Sequence, residues 1–410
     1  MRVFNATTEA IKQGGTRRGA NMGILRVDHP DIISFITAKD DPTEFVNFNL
    51  SVAVTDAFME ALFKGAEYPL INPRTGTEIA RMKATEVFEK IVESAWKSGE
   101  PGVIFIDRVN AANPTPHIGV FEATNPCGEQ PLLAYEPCNL GSINLGKMVR
   151  GRDIDFDKLK KTVETAVRFL DDVIDAGRYP SREIDAMAKG NRKIGLGVMG
   201  FADMLIRLRV SYGSVEGFDI ARDVMRFIGE TGWGASRMLA RERGPFPNIK
   251  GSVFDRAGVE PVRNATVTTI APTGTLSIIA GCASGIEPFY SLSYTRQVLN
   301  GARIAELNPL VEEVAREEGF YSEGLMEFIK NGGAIKDRPD VPPHIRDIFI
   351  TAYDLPPEAH IRVQAEFQGA TDNAVSKTIN LPSSAAPDDV KEAYLLAYRL
   401  GCKGVTVYRS

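Results

Sequence analysis

The stretch ATNPCGEQPLL, residues 123–133, decides how the chain reads. Asn125, Cys127 and Glu129 occupy alternate positions, and along an extended backbone alternate side chains project to one face. Pro126 biases Asn125 toward extended dihedrals, and Gly128 lets backbone and ligand come close. One thiol, one amide and one carboxylate then converge on a small molecule. The amide both donates and accepts, and the carboxylate takes up a proton. Vicinal hydroxyls of a sugar suit that trio. Spacing alone fits a second reading equally well: a surface loop after a strand, with Cys127 as a small buried hydrophobe.

The rest of the composition narrows the setting. The chain has 410 residues, enough for two ordinary domains or one large α/β domain. Its 48 basic and 53 acidic residues leave a formal charge of −5, which argues against a nucleic-acid or anionic-membrane partner. Hydrophobic residues at 43% and charged residues at 25% exclude wholesale disorder. Four cysteines cannot build a disulfide framework, so a reducing, cytoplasmic location is expected. No apolar run reaches the ~18 residues a membrane span needs, and no leader is recognisable.

Hydrophobic periodicity predicts helices over 56–64, 84–97, 156–176, 215–243, 309–330, 357–368 and 387–400. Short β-branched runs at 102–106, 140–145, 194–198, 265–270, 375–381 and 404–408 read as buried strands. Such strands alternating with long helices indicate an α/β sheet or barrel with its strands covered on both sides. One domain over residues 1–410 is expected, with Asn331 to Pro343 as a surface excursion.

NPCGEQPLL followed by EPCNLGSINL resembles the finger loop of ribonucleotide reductase catalytic subunits. Four further blocks match in order: GGTRRGANMGILRVDHPDIISFI at 14–36, NRKIGLGVMGFAD at 191–203, APTGTLSIIAGCASGIEPFY at 271–290, and KTINLP at 377–382. The resemblance implies a ten-stranded α/β barrel of two five-stranded halves with the finger loop at its centre, the first strands lying outside this chain. It implies that Cys127 becomes a thiyl radical and removes the ribose 3′ hydrogen. Glu129 would take the 3′ hydroxyl proton, Asn125 would hydrogen-bond the sugar, and the 2′ hydroxyl would leave as water. A soft thiol suits one-electron oxidation, and burial is expected to protect the radical.

The resemblance also implies a pair of reducing cysteines. Cys138 resembles one member. The other belongs to a strand that precedes this sequence, and Cys282 and Cys402 read as small core residues beside glycines. GGTRRGA resembles the specificity loop that relays a deoxynucleotide effector: Gly14 and Gly15 permit unusual dihedrals, while Arg17 and Arg18 suit a phosphate or base edge. Two solvated arginines in a polar loop are the plainer alternative. The chain is therefore expected to be the C-terminal catalytic portion of a longer enzyme. It would work with a separate N-terminal polypeptide or as a homodimer, and be recycled by a thioredoxin-like reductant.

Residues 272–277, PTGTLS, read as a turn opening a helix, whose N–H groups bind anions. A plain loop has the same pattern, but the resemblance makes Thr273, Gly274, Thr275 and Leu276 the substrate-phosphate cradle, with hydroxyls of Thr273, Thr275 and Ser277 as donors. No two tyrosines are adjacent in the sequence, whereas relatives fed by a metal subunit carry such a pair. The segment 401–409 is similar to the adenosylcobalamin-dependent, class II members. The expected function is reduction of ribonucleotides, diphosphates before triphosphates, to 2′-deoxyribonucleotides. Two alternatives are the large subunit of a metal-subunit-dependent reductase and an inactive nucleotide-binding fragment. His29, His117, His344 and His360 show no metal-ligand spacing, so no protein-bound metal is expected.

Overall fold

The computed structural model describes residues 1–11, 19–297 and 303–410. The strands that place the site are, in chain order, β1 (Asn21–Arg26), β2 (Phe48–Val54), β3 (Gly102–Phe105), β4 (Ala123–Thr124), β5 (Pro131–Leu132), β6 (Asn139–Asn144), β7 (Ile194–Met199), β8 (Thr378–Leu381) and β9 (Gly404–Arg409). One sheet runs β1-β2-β3-β9-β8. Its first three strands are parallel, β9 joins β3 antiparallel with Gly404 opposite Ile104, and β8 is parallel to β9. β7 pairs in parallel with β6.

Residues 265–270 connect the two sheets. Parallel bridges join Thr268 to Leu196 on β7 and Ile270 to Val375 just before β8. Three parallel strands thus meet a second parallel set, β9-β8-(265–270)-β7-β6, at one antiparallel seam. The outer edges of β1 and β6 pair with no strand among the described residues.

Residues 265–270 do not form the regular strand that their β-branched run predicts. The Asp372 carboxylate accepts the N–H groups of Val267 and Thr268, both at 2.9 Å, and so takes two donors from the ladder. The predicted helix at 309–330 is two helices, Pro309–Glu317 and Glu323–Lys330. Gly319 at φ 75° breaks it, and the Ser322 hydroxyl caps the second piece. The 331–343 excursion buries Ile335 and Val341 instead of lying wholly on the surface. Among the described residues no helix is long and apolar enough to cross a membrane.

Period-two alternation sorts the strands' side chains. Val52, Val54, Val103, Phe105, Val405 and Val407 pack outward against helices Ala84–Ser98 and Pro387–Arg399. Ala53 and Ile104 face the other way and meet Phe121 and Leu133, which flank the β4–β5 hairpin. A second outer core joins β7 to helices Phe156–Ala176 and Val215–Arg243. The hairpin carrying Cys127 therefore lies on the sheet's inner face.

Candidate active site

The β4–β5 hairpin pairs Ala123 with Leu132 and Thr124 with Pro131. Beyond it the Asn125 N–H donates to the Gln130 carbonyl (3.1 Å), and the Gln130 N–H donates to Asn125 Oδ1 (3.0 Å). The Gly128 N–H donates to the Asn125 carbonyl (3.0 Å), with Gly128 at φ 81°, a conformation glycine adopts without strain. Asn125, Cys127 and Glu129 are consequently set by a tight turn, not by the extended run that alternation suggests. Asn49 on β2 holds the apex by donating to the Pro126 carbonyl (2.8 Å). The Glu129 carbonyl is gripped by the Thr269 hydroxyl (2.8 Å) and the Ala374 N–H (2.9 Å).

The turn brings Asn125 and Glu129 together. Asn125 Oδ1 is occupied by Gln130, which leaves its NH2 to donate to the Glu129 carboxylate. Glu129 is buried, and this desolvation raises its proton affinity, countered in part by its own N–H and by Asn125. Its Oε2 is buried without a hydrogen-bond partner in the protein. Such an oxygen suits a ligand hydroxyl. Cys127 is at the apex and exposed, contrary to the expected burial. The apex projects over a sheet whose β1 and β6 edges carry no further strand among the described residues.

Cys138 immediately precedes β6 and is half-buried. Burial pushes its thiol up to about 12, with Lys193 lowering and Glu136 and Glu129 raising it. Cys402 is fully buried, as expected of a core thiol, while Cys282 is partly exposed.

The cradle begins at Thr273, at φ 53°, and opens the helix Gly274–Ala280 without a side-chain cap. Gly274, Thr275 and Leu276 form its exposed first turn. Two of the expected hydroxyls bond within the loop: Thr273 Oγ1 accepts the Gly285 N–H (2.8 Å), and Ser277 Oγ donates to the Gly274 carbonyl (3.1 Å) and contacts Ser284 Oγ (2.8 Å). Thr275 keeps an exposed position.

The family model described as ribonucleotide reductase, barrel domain, matches residues 1–260 and 252–408. The chain belongs to the ribonucleotide reductase family. It is 51% identical over its whole length to a vitamin B12-dependent ribonucleoside-diphosphate reductase of Thermoplasma acidophilum, covering 53% of that protein. The Mycobacterium tuberculosis protein of the same description is 47% identical, with 59% covered. The chain thus spans little more than half the length of these relatives. Its fold matches that of the Actinobacillus ureae class Id ribonucleotide reductase alpha subunit, with TM-score 0.81 and 23% identity, over the whole chain and 73% of that subunit.

Within this reductase-family barrel, Gly14, Gly15, Arg17 and Arg18, the residues expected to form a specificity loop, lie outside the described residues. A cluster that the sequence left unassigned includes Glu287, two residues beyond the Gly285 that bonds Thr273. Lys377 Nζ donates to Glu287 Oε2 (2.5 Å), the Thr378 carbonyl (2.8 Å) and His360 Nδ1 (2.9 Å). His360 Nε2 pairs with the Ala352 carbonyl (3.0 Å), which requires the neutral ring with its proton on Nε2. Burial, then Lys377, pushes His360 down to about 3. The family-like GIEP and KTINLP blocks contain Glu287 and Lys377, but nothing in either predicts that they meet a histidine from a helix between them.

Proposed function

We propose that this chain is the catalytic barrel of an adenosylcobalamin-dependent ribonucleotide reductase, acting on ribonucleoside diphosphates. The observation that carries the reading is the hairpin in which Asn125 orients a buried Glu129 with one unpartnered carboxylate oxygen, two residues from the exposed thiol of Cys127. A ribose fits this arrangement. Its 3′ hydroxyl donates to Glu129 Oε2 while its 3′ hydrogen faces Cys127 Sγ.

Adenosylcobalamin supplies, when bound, an organic radical by homolysis of its cobalt–carbon bond. The residue it must meet is Cys127, whose exposure at the turn apex leaves room for a bulky group. The Cys127 thiyl removes the 3′ hydrogen, Glu129 accepts the 3′ hydroxyl proton, and the 2′ hydroxyl leaves as water. Cys138 and a second thiol supply the proton that carries the 2′ hydroxyl off as water, together with the two electrons. They form a disulfide that a thioredoxin-like dithiol reduces, and Cys127 returns the hydrogen to the 3′ carbon. The exposed N–H groups of Gly274, Thr275 and Leu276 hold the substrate phosphates. Gly14, Gly15, Arg17 and Arg18 belong to the loop that senses a deoxynucleotide effector. The close relatives' names favour cobalamin over a metal subunit.

The test supplies adenosylcobalamin, dithiothreitol and a ribonucleoside diphosphate. The chain is assayed alone and with a polypeptide providing the part of its relatives that it does not span. Deoxynucleotide formed without any metal subunit is expected. Its absence in both arms overturns the reading.

A further inference from the structure

Next to Cys138 lies an ion pair that the hydrogen-abstraction chemistry does not use. Lys193 Nζ is 3.2 Å from Glu136 Oε2, and both side chains are 1% exposed. Lys193 also donates to the Pro131 carbonyl (2.8 Å) and stands over the Phe121 ring, 4.8 Å from its centroid. Glu136 accepts from Asn191 Nδ2 (2.6 Å) and the Leu133 N–H (3.0 Å). The Cys138 thiol points at the main-chain carbonyls of Asn139 (3.6 Å) and Lys193 (3.9 Å), two weak sulfur contacts. A buried ion pair is a poor source of stability, because desolvation offsets its attraction. Glu136 is two residues before Cys138, and Lys193 lends the thiol its carbonyl. Two opposite charges thus belong to the thiol's own neighbours and bias its ionisation in opposite directions.

We propose that the Glu136–Lys193 ion pair is the electrostatic partner of Cys138 and controls how readily its thiol gives up a proton. The Lys193 ammonium favours the thiolate, the form that exchanges with a disulfide. The carboxylates of Glu136, on the same segment, and Glu129, on the hairpin, favour the thiol. Lys193 is in turn faced by Lys403, whose Nζ is held by the carbonyls of Asp372 (2.6 Å) and Asn373 (2.5 Å). Lys193 and Glu136 are thus positioning residues. The inference rests on Cys138 being the redox thiol, but thiol ionisation is read without substrate, so a failed reductase assay leaves this test intact.

The experiment follows iodoacetamide alkylation of each cysteine in the full chain by peptide mapping between pH 7 and 10, with buried Cys402 reporting any general loosening. Below the thiol's pKa, K193M is expected to slow alkylation of Cys138 about tenfold, and E136Q to speed it by a similar factor. K193R, which keeps the charge, stays within about twofold of the parent. A purely structural role moves K193M and E136Q the same way, toward faster reaction, together with Cys402. That result, or no change in either variant, overturns the proposal. If K193M does not fold, E136Q decides alone: faster alkylation at Cys138 with Cys402 unmoved supports it, and an unchanged or slower rate refutes it.

Discussion

The Ala374 N–H donates to the Glu129 carbonyl at 2.9 Å, which ties the β4–β5 hairpin to the segment leading into β8. The same segment, through Asp372 and Asn373, also fixes residues 266–268. Glu129 is therefore positioned by the irregular part of the sheet, and disturbances there should reach the carboxylate.

Glu129→Gln separates chemistry from stability. Burial holds this carboxyl above its free value of 4.5, so the folded chain binds its proton more tightly than the unfolded chain. That contribution to stability is present below pH 4.5 and is lost as pH rises through the folded value. At pH 7.5 the glutamine variant should melt no lower than the parent while losing nucleotide reduction. In the parent, activity should fall on acidification at a pH above the usual glutamate range. Thermal melts and a pH–rate profile check both.

Gly197 admits no side chain. A Cβ there would lie 2.2 Å from the Thr269 carbonyl oxygen, a main-chain atom that cannot rotate aside. Gly195, by contrast, would meet the movable ends of Leu140, Gln130 and Thr269. Gly197→Ala should cost about 3 kcal/mol and more than Gly195→Ala, read from urea midpoints.

Asp372→Ala removes the acceptor for the Val267 and Thr268 N–H groups and for Trp233 Nε1 (3.1 Å). Buried main-chain donors left without partners should lower stability by about 3 kcal/mol. Indole fluorescence of Trp233 during unfolding monitors this directly.

His360 makes the fold acid-sensitive. Its folded value is near 3, against 6.5 when free. Between those values the unfolded chain takes up a proton that the folded chain refuses, so the stabilising effect is complete above pH 6.5 and declines as pH falls. Unfolding midpoints should drop from pH 6.5 to pH 4, and His360→Gln should flatten that slope.

The parts of the molecule legible in sequence are those governed by local periodicity. The helices at Asp56–Lys64, Phe156–Ala176, Val215–Arg243 and Pro357–Gln368 begin and end where the apolar stripe predicts. β1 and β2 fall outside the predicted strands because NMGILR carries a glycine and polar ends, and FNLSVAV interrupts its apolar run with Asn49 and Ser51. Helix Phe201–Leu208 is eight residues long, too short for its apolar stripe to repeat and separate it from the apolar strand before it. At the site, the residue types of Asn125, Cys127 and Glu129 were readable, but their geometry was not. A turn closed by Gly128 brings amide and carboxylate together, whereas alternation along a strand would have aligned all three. The Lys377–His360–Glu287 cluster joins residues up to 90 positions apart, a distance that no local pattern encodes.

The most direct test of Cys127 as the hydrogen-abstracting residue uses a ribonucleoside diphosphate carrying tritium at the 3′ carbon, incubated with adenosylcobalamin and the chain in its reconstituted form. Tritium should appear in water with the parent protein and fall to background with Cys127→Ser, while Cys138→Ser still releases it. Equal release from Cys127→Ser and the parent would contradict the account.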